Sequence, residues 1–124
     1  MPTFATAINC MDGRTQLPVI NYLKWRFEAD YVDAITEPGP VRILADDAGC
    51  PAAQSIFDRV DISVAKHESR GIAVVAHHDC AGNPLDKPDQ LEQLRRAIDV
   101  ITSMYPDLPV IGLWVDDAWH VHEM

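Results

Sequence analysis

The sequence predicts an α/β fold: a three-layer sandwich whose central sheet is mostly parallel and has about four to five strands. Three observations carry this. Segments with the periodicity of strands and of helices alternate along the chain. "IAVVAH" (Ile72 to His77) is a continuous apolar run, as expected of a strand covered on both faces. The 124 residues, 48% of them hydrophobic, suit one domain over residues 1–124 with an ordinary core.

The elements follow in order. "FATAIN" (Phe4 to Asn9) is short, apolar and small, and reads as a buried strand ending at Cys10. "MDGRT" is a loop. Thr15 or Gln16 opens a helix with Pro18 in its first turn. Val19, Tyr22, Leu23, Arg26 and Phe27 then recur at spacings of three and four, to about Ala29. "YVDAIT" (Tyr31 to Thr36) alternates and is β-branched, so it predicts a second strand. "EPGP" is a turn. "VRILA" (Val41 to Ala45) fits either a short strand or the start of a helix.

"DDAGCP" breaks the pattern. From Ala52 to Ser69, Ile56, Val60, Val64 and His67 share a helical stripe, which Gly71 is expected to end. After "IAVVAH", Pro88 and Asp89 start another helix, with its stripe on Leu91, Leu94, Ile98, Ile101 and Tyr105. "VIGLWV" (Val110 to Val115) is the last strand expected, and "DDAWHVHEM" trails from it.

Composition excludes some functions. The net charge of −9 and the scattered lysines and arginines argue against a nucleic-acid partner. No apolar run approaches the roughly 20 residues that span a bilayer. "MPTFATAINC" lacks the basic flank and apolar core of a signal, so the expected compartment is the cytoplasm. There thiols stay reduced, and Cys10, Cys50 and Cys80 are better suited to metal binding or burial than to a disulfide framework.

In parallel sheets, sites gather beyond the carboxyl ends of the strands. "CMDGR" places Cys10, Asp12 and Arg14 after the first strand, and "HHDC" places His77 and Cys80 after the central one. Cys10, His77 and Cys80 form a Cys₂His set suited to Zn2+, which leaves a fourth position for water or substrate. Bound zinc lowers the pKa of its water from about 15.7 to near 7. Asp12 is close enough in sequence to reach the metal. Arg14 can hold it back instead through a bidentate pair. The open and closed alternatives both remain at this point.

The same residues carry a resemblance. "CMDGR" with "HHDC" resembles the Cys-x-Asp-x-Arg and His-x-x-Cys motifs of β-class carbonic anhydrases. "DDAGC" stands where that family has an Ala-Gly-Asn turn. "HHDCAG" is similar to its His-x-x-Cys-Gly stretch, and "VIGLWVDD" to its last strand. The resemblance runs from about Phe4 to Asp117, in order, and is closest to a compact branch of the family. It implies a β-carbonic anhydrase-like domain with zinc on Cys10, His77 and Cys80, and an Asp12–Arg14 dyad. It implies reversible hydration of carbon dioxide to bicarbonate by zinc-bound hydroxide. It also implies a homodimer as the smallest working unit.

Two alternatives keep the same ligands: a non-catalytic zinc-binding domain, and a zinc hydrolase acting on carbon disulfide or carbonyl sulfide. Other residues carry paired readings. His78 is a proton shuttle or a solvated loop residue. Asp79 is a loop or cap residue. Cys50 lines the pocket or packs as a small thiol. His120 and His122 alternate as a metal pair would, or are exposed tail residues. His67 belongs on the helix surface or at its C-terminal end. Trp25, Trp114 and Trp119 suit core or dimer packing. Cys10 and Arg14 are too close in sequence for a phosphatase-type cysteine loop, and no glycine-rich phosphate loop is present.

Overall fold

The computed structural model describes residues 1–124. Five strands form one sheet: β1 (Phe4–Cys10), β2 (Tyr31–Glu37), β3 (Ile72–His77), β4 (Val110–Val115) and β5 (Val121–Glu123). Four helices connect them: α1 (Gln16–Arg26), α2 (Pro40–Asp46), α3 (Pro51–His67) and α4 (Lys87–Met104). The strand order is β2-β1-β3-β4-β5. The first four strands run parallel, and β5 turns back antiparallel to β4. No helix is long and apolar enough to cross a membrane.

The pleat divides the core in two. Ile8, Val74 and Ala76 face one side, where Leu44, Ile56, Val60, Leu94 and Ile101 of α2, α3 and α4 cover them. Ala5, Ala7, Ala73 and Val75 face the other, against Val19 and Leu23 of α1. Three layers result. Each fully buried leucine or isoleucine here contributes roughly 1.5–3 kcal/mol of transfer free energy.

This connectivity creates the site. From β1 the chain crosses to β2 on one side, and later strands add on the other. Beyond their carboxyl ends lies the crevice that such a reversal leaves. The β1–β3 pairing stops at Ile8↔Val74, so Cys10 and His77 lie beyond it and are paired only on their outer sides, with Glu37 and Val115.

Several boundaries differ from the sequence reading. Of the two readings open for Val41 to Ala45, the helix is the one formed, with Pro40 in its first turn. Cys50 caps α3, its sulfur accepting from Ala53 N at 3.4 Å. Helix α1 stops at Arg26, short of Ala29, with Phe27 as its C-cap. Tyr105 lies just past α4, its N–H bonded to Ile101 O at 3.0 Å. Glu68, at φ 52°, ends α3 in the left-handed conformation expected of glycine. Gly71 has another use: a Cβ there would lie 2.4 Å from the Phe27 ring. The largest miss is the tail, which folds back as β5.

Candidate metal centre

Cys10 is the last residue of β1 and His77 the last of β3; Cys80 follows in the next turn. All three are buried, at 4%, 1% and 5% exposure. Their donor atoms lie within 4.8 Å of one another, with Cys10 Sγ 3.8 Å from Cys80 Sγ. Two thiolate bonds of about 2.3 Å at a tetrahedral angle would place the sulfurs about 3.8 Å apart. The pair therefore has the spacing that one tetrahedral ion demands.

His77 supplies a second test. Its Nδ1–H donates to the His78 carbonyl at 2.7 Å, which leaves a lone pair on Nε2. Nε2 is buried and has no hydrogen-bond partner. An orphaned acceptor of this kind is costly unless something is bound to it. Two sulfurs and an unpartnered imidazole nitrogen fit a soft or borderline metal ion well.

The thiols give the same answer through charge. Hydrogen bonding from Cys80 holds the Cys10 thiol well below its usual range, with His77 adding to the effect against the cost of burial. The hydrogen bond to Cys10 pushes Cys80 up, and burial and the neighbouring charge add to this. Ionisation of one sulfur thus opposes ionisation of the other. A divalent cation between them would remove the conflict and leave both as thiolates. Burial alone would lower the His77 pKa, but the nearby Cys10 sulfur and the bond to the His78 carbonyl outweigh that and raise it.

Local structure explains how these donors are held. Asn9 Oδ1 accepts from Cys10 N at 2.8 Å. Gln16 Nε2 donates to Cys10 O at 2.7 Å and to Asp12 O at 3.0 Å, pinning the loop after β1. Asp79, at φ 58°, turns the chain so that Cys80 points inward. Gln90, buried on α4, donates to the carbonyls of His77 and Leu85, both at 3.0 Å. Asn83 and Gln93 bond side chain to side chain at 2.7 Å beside it.

Asp12 does not belong to the group of side chains that could hold a metal. Arg14 holds it through NH2 to Oδ2 at 2.7 Å and Nε to Oδ1 at 3.1 Å. Hydrogen bonding from Arg14 lowers the Asp12 carboxyl to about 2. Arg14 also reaches Asp79 Oδ2 at 3.3 Å and Asp79 O at 3.2 Å, so it joins the loops after β1 and β3. Its guanidinium carbon lies 4.2 Å from the centre of the Trp119 ring.

The donors line a tight recess too narrow to hold a free water molecule, walled by Gly39, Pro40, Val41, Val75 and Ala76. A wider cleft of about 440 Å³ adjoins it at Cys80 and Gln90, with His78 and Lys87 at its rim.

A family profile described as "Putative carbonic anhydrase" matches residues 1–124. The chain belongs to this family. Solved carbonic anhydrases share its fold. A carbonic anhydrase from Glaciozyma antarctica is 16% identical, with a TM-score of 0.63, over 95% of this chain and 80% of that one. A tetrameric β-carbonic anhydrase from Sordaria macrospora is 14% identical, with a TM-score of 0.62, over 99% and 80%. The β-carbonic anhydrase CafA of Aspergillus fumigatus is 15% identical, with a TM-score of 0.59, over 99% and 75%. No curated protein gives a significant match to the sequence.

Within this carbonic anhydrase fold, the structure brings together Cys10, His77 and Cys80, and pairs Asp12 with Arg14. It leaves other candidates outside. His120 is exposed, and His122 Nε2 pairs with Asp116 Oδ2 at 2.7 Å. His67 Nδ1 meets Asp33 Oδ2 at 2.7 Å on the surface of α3. Cys50 lines a separate cleft with Arg42 and Asp47. The segment that faces Cys10 is Gly39–Pro40, just after β2; Gly49 does not line that recess. Sequence reasoning missed Gln16, Gln90, Asn83 and the placing of Trp119. The only signal for Gln90 was that it and Gln93 share the buried face of α4 with Leu94, Ala97 and Ile101; Gln16 and Asn83 gave none.

Proposed function

We propose that this carbonic anhydrase relative is a zinc lyase that hydrates carbon dioxide reversibly to bicarbonate, with Cys10, His77 and Cys80 as ligands. The observation that carries the reading is the convergence of those three donors while Arg14 holds Asp12 apart from them. When bound there, zinc supplies Lewis acidity that makes a water ionise near neutral pH.

The chain's own residues do the rest. Gly39, Pro40, Val41, Val75 and Ala76 give the recess apolar walls, which keep loose water away from the ligands. The ionised Asp12 carboxylate can only accept hydrogen bonds, so it can orient a protonated oxygen beside it. Arg14 keeps that carboxylate at the rim. His78, exposed next to the ligand His77, can hand protons to buffer.

Self-association as a homodimer or larger assembly belongs to the same proposal. The tetrameric relative supports it, as do the exposed side chains of Met11, Leu17 and Trp25. Reduced thiolate ligands suit a cytoplasmic setting.

Stopped-flow hydration of carbon dioxide by zinc-loaded protein, across a range of pH, tests the activity. The expected rate exceeds that of buffer and rises through a pKa of about 7 to 8. No rate above buffer at any pH overturns it.

A further inference from the structure

We infer that Trp119 is a positioning residue: its indole ring backs the Arg14 guanidinium and so keeps Asp12 away from the metal position. The inference rests on the zinc reading above and extends it to a residue outside both sequence motifs.

Arg14 is 45% exposed, so little packing restrains it. Two acids compete for its edges. Asp12 takes Nε and NH2; Asp79, 71% exposed, takes NH1 at 3.3 Å. A guanidinium drawn out towards Asp79 or solvent would release Asp12. Asp12 is two residues from Cys10 and would then be free to take the position that substrate chemistry needs. The Arg14 guanidinium carbon lies over the Trp119 ring, 4.2 Å from its centre. A ring in that place favours the cation and narrows its swing. The same ring lies 6.4 Å from the His77 ring, so it stands over the ligand as well.

The backbone shows that this ring is not placed by default. Trp119 has φ 62°. Bulky residues are rare in the left-handed region, and hairpin turns of this kind ordinarily use glycine there. Here the turn between β4 and β5 is fixed by Asp116. Its Oδ1 accepts from Ala118 N and His120 N, both at 2.9 Å, and its carbonyl accepts from Trp119 N at 3.0 Å. An outlier enforced this firmly points to what its side chain touches.

Cobalt(II)-substituted protein tests the inference, with azide as the probe of the fourth position and visible absorption as the readout. Trp119→Leu is expected to weaken azide binding by about fivefold. Trp119→Phe, which keeps a π-face, is expected to stay within about twofold of wild type. Trp119→Met offers a second ringless variant if the leucine protein does not fold. In an Asp12→Ala background nothing remains to occupy the position, so Trp119→Leu should have no further effect. Unchanged azide affinity in folded, cobalt-loaded Trp119→Leu protein overturns the inference. So does an equal loss in the Asp12→Ala background, since the ring would then act without Asp12. Wild-type protein that takes up no cobalt overturns the zinc reading itself, which is a different failure.

Discussion

Gly39 and Gly82 touch backbone to backbone. A Cβ on Gly39 would lie 2.9 Å from the carbonyl carbon of Gly82, and one on Gly82 would lie 2.5 Å from that of Pro38. The loop after β2 is thereby laid against the loop after β3, beside Cys10 and Cys80. The contact sets the spacing of the two loops that wall the recess, although neither glycine offers a side chain to any ligand.

Gly82→Ala should therefore destabilise the fold by about 1–3 kcal/mol, because rigid backbone cannot yield as a side chain can. Gly39→Ala adds left-handed strain, since Gly39 has φ 64°. Gly13 is the control. A Cβ there meets nothing within 4 Å, so Gly13→Ala should be neutral or stabilise by about 0.4–1 kcal/mol. Urea unfolding of the three variants measures this. Equal midpoints for Gly82→Ala and Gly13→Ala would show that the loops are not interlocked.

Gln90 acts on His77 through its backbone. Its single amide group serves the carbonyls of His77 and Leu85 from a buried position. Gln90→Leu keeps much of the volume but leaves both acceptors bare, at an expected cost of about 1–3 kcal/mol. Metal affinity should fall with it, because the end of β3 loses its tether. Denaturant unfolding and a competitive chelator titration read the two effects. A variant as stable as wild type would mean that water replaces the amide.

The centre of the sheet was legible in the sequence because its signals are local. Continuous burial of Ile72 to His77 leaves an apolar run, and the donor pairs sit just where the strand patterns stop. β5 was not legible. Its three residues alternate too briefly to stand out, and the strand is defined by pairing with β4, as in Trp114↔His122. With β5 unseen, Trp119 reads as a generic aromatic residue of the tail. Gly71 was misassigned for a related reason: its need for a missing Cβ comes from Phe27, forty-four positions away. The Asp12–Arg14 pair was anticipated as one of two alternatives. Choosing between them needed the bonds that Arg14 makes to Asp12 in the folded chain, which no spacing rule reports.

Metal should be linked to stability as well as to activity. Cys10 lies 70 residues from Cys80, so the unfolded chain holds no preformed three-ligand site. At zinc concentrations about 1,000 times the dissociation constant, the folded state should gain about 4 kcal/mol. Cys10→Ser should lose nearly all of that gain while unfolding as cooperatively as the metal-free wild type. Paired unfolding curves with zinc and with chelator measure the gain, and metal analysis gives the stoichiometry. An equal zinc-dependent gain in the Cys10→Ser protein would place the metal elsewhere.

Asp116 gives the hairpin that carries Trp119 a defined response to acid. Hydrogen bonding from His122 first, and from the backbone of His120 and Ala118, lowers its carboxyl from 3.8 to about 2. The folded chain therefore holds fewer protons than the unfolded one between those values, and folding is favoured as pH rises through them. The contribution is complete above the ordinary carboxylate value and is lost as pH falls through about 2. Asp116→Asn keeps an oxygen for the two backbone donors but cannot ionise. Its melting temperature should lie below that of wild type near pH 6, and the gap should narrow steadily as pH is lowered towards about 2. A gap that stays constant across this range would mean that the carboxylate's charge does not hold the turn, and that the backbone bonds to its oxygen suffice.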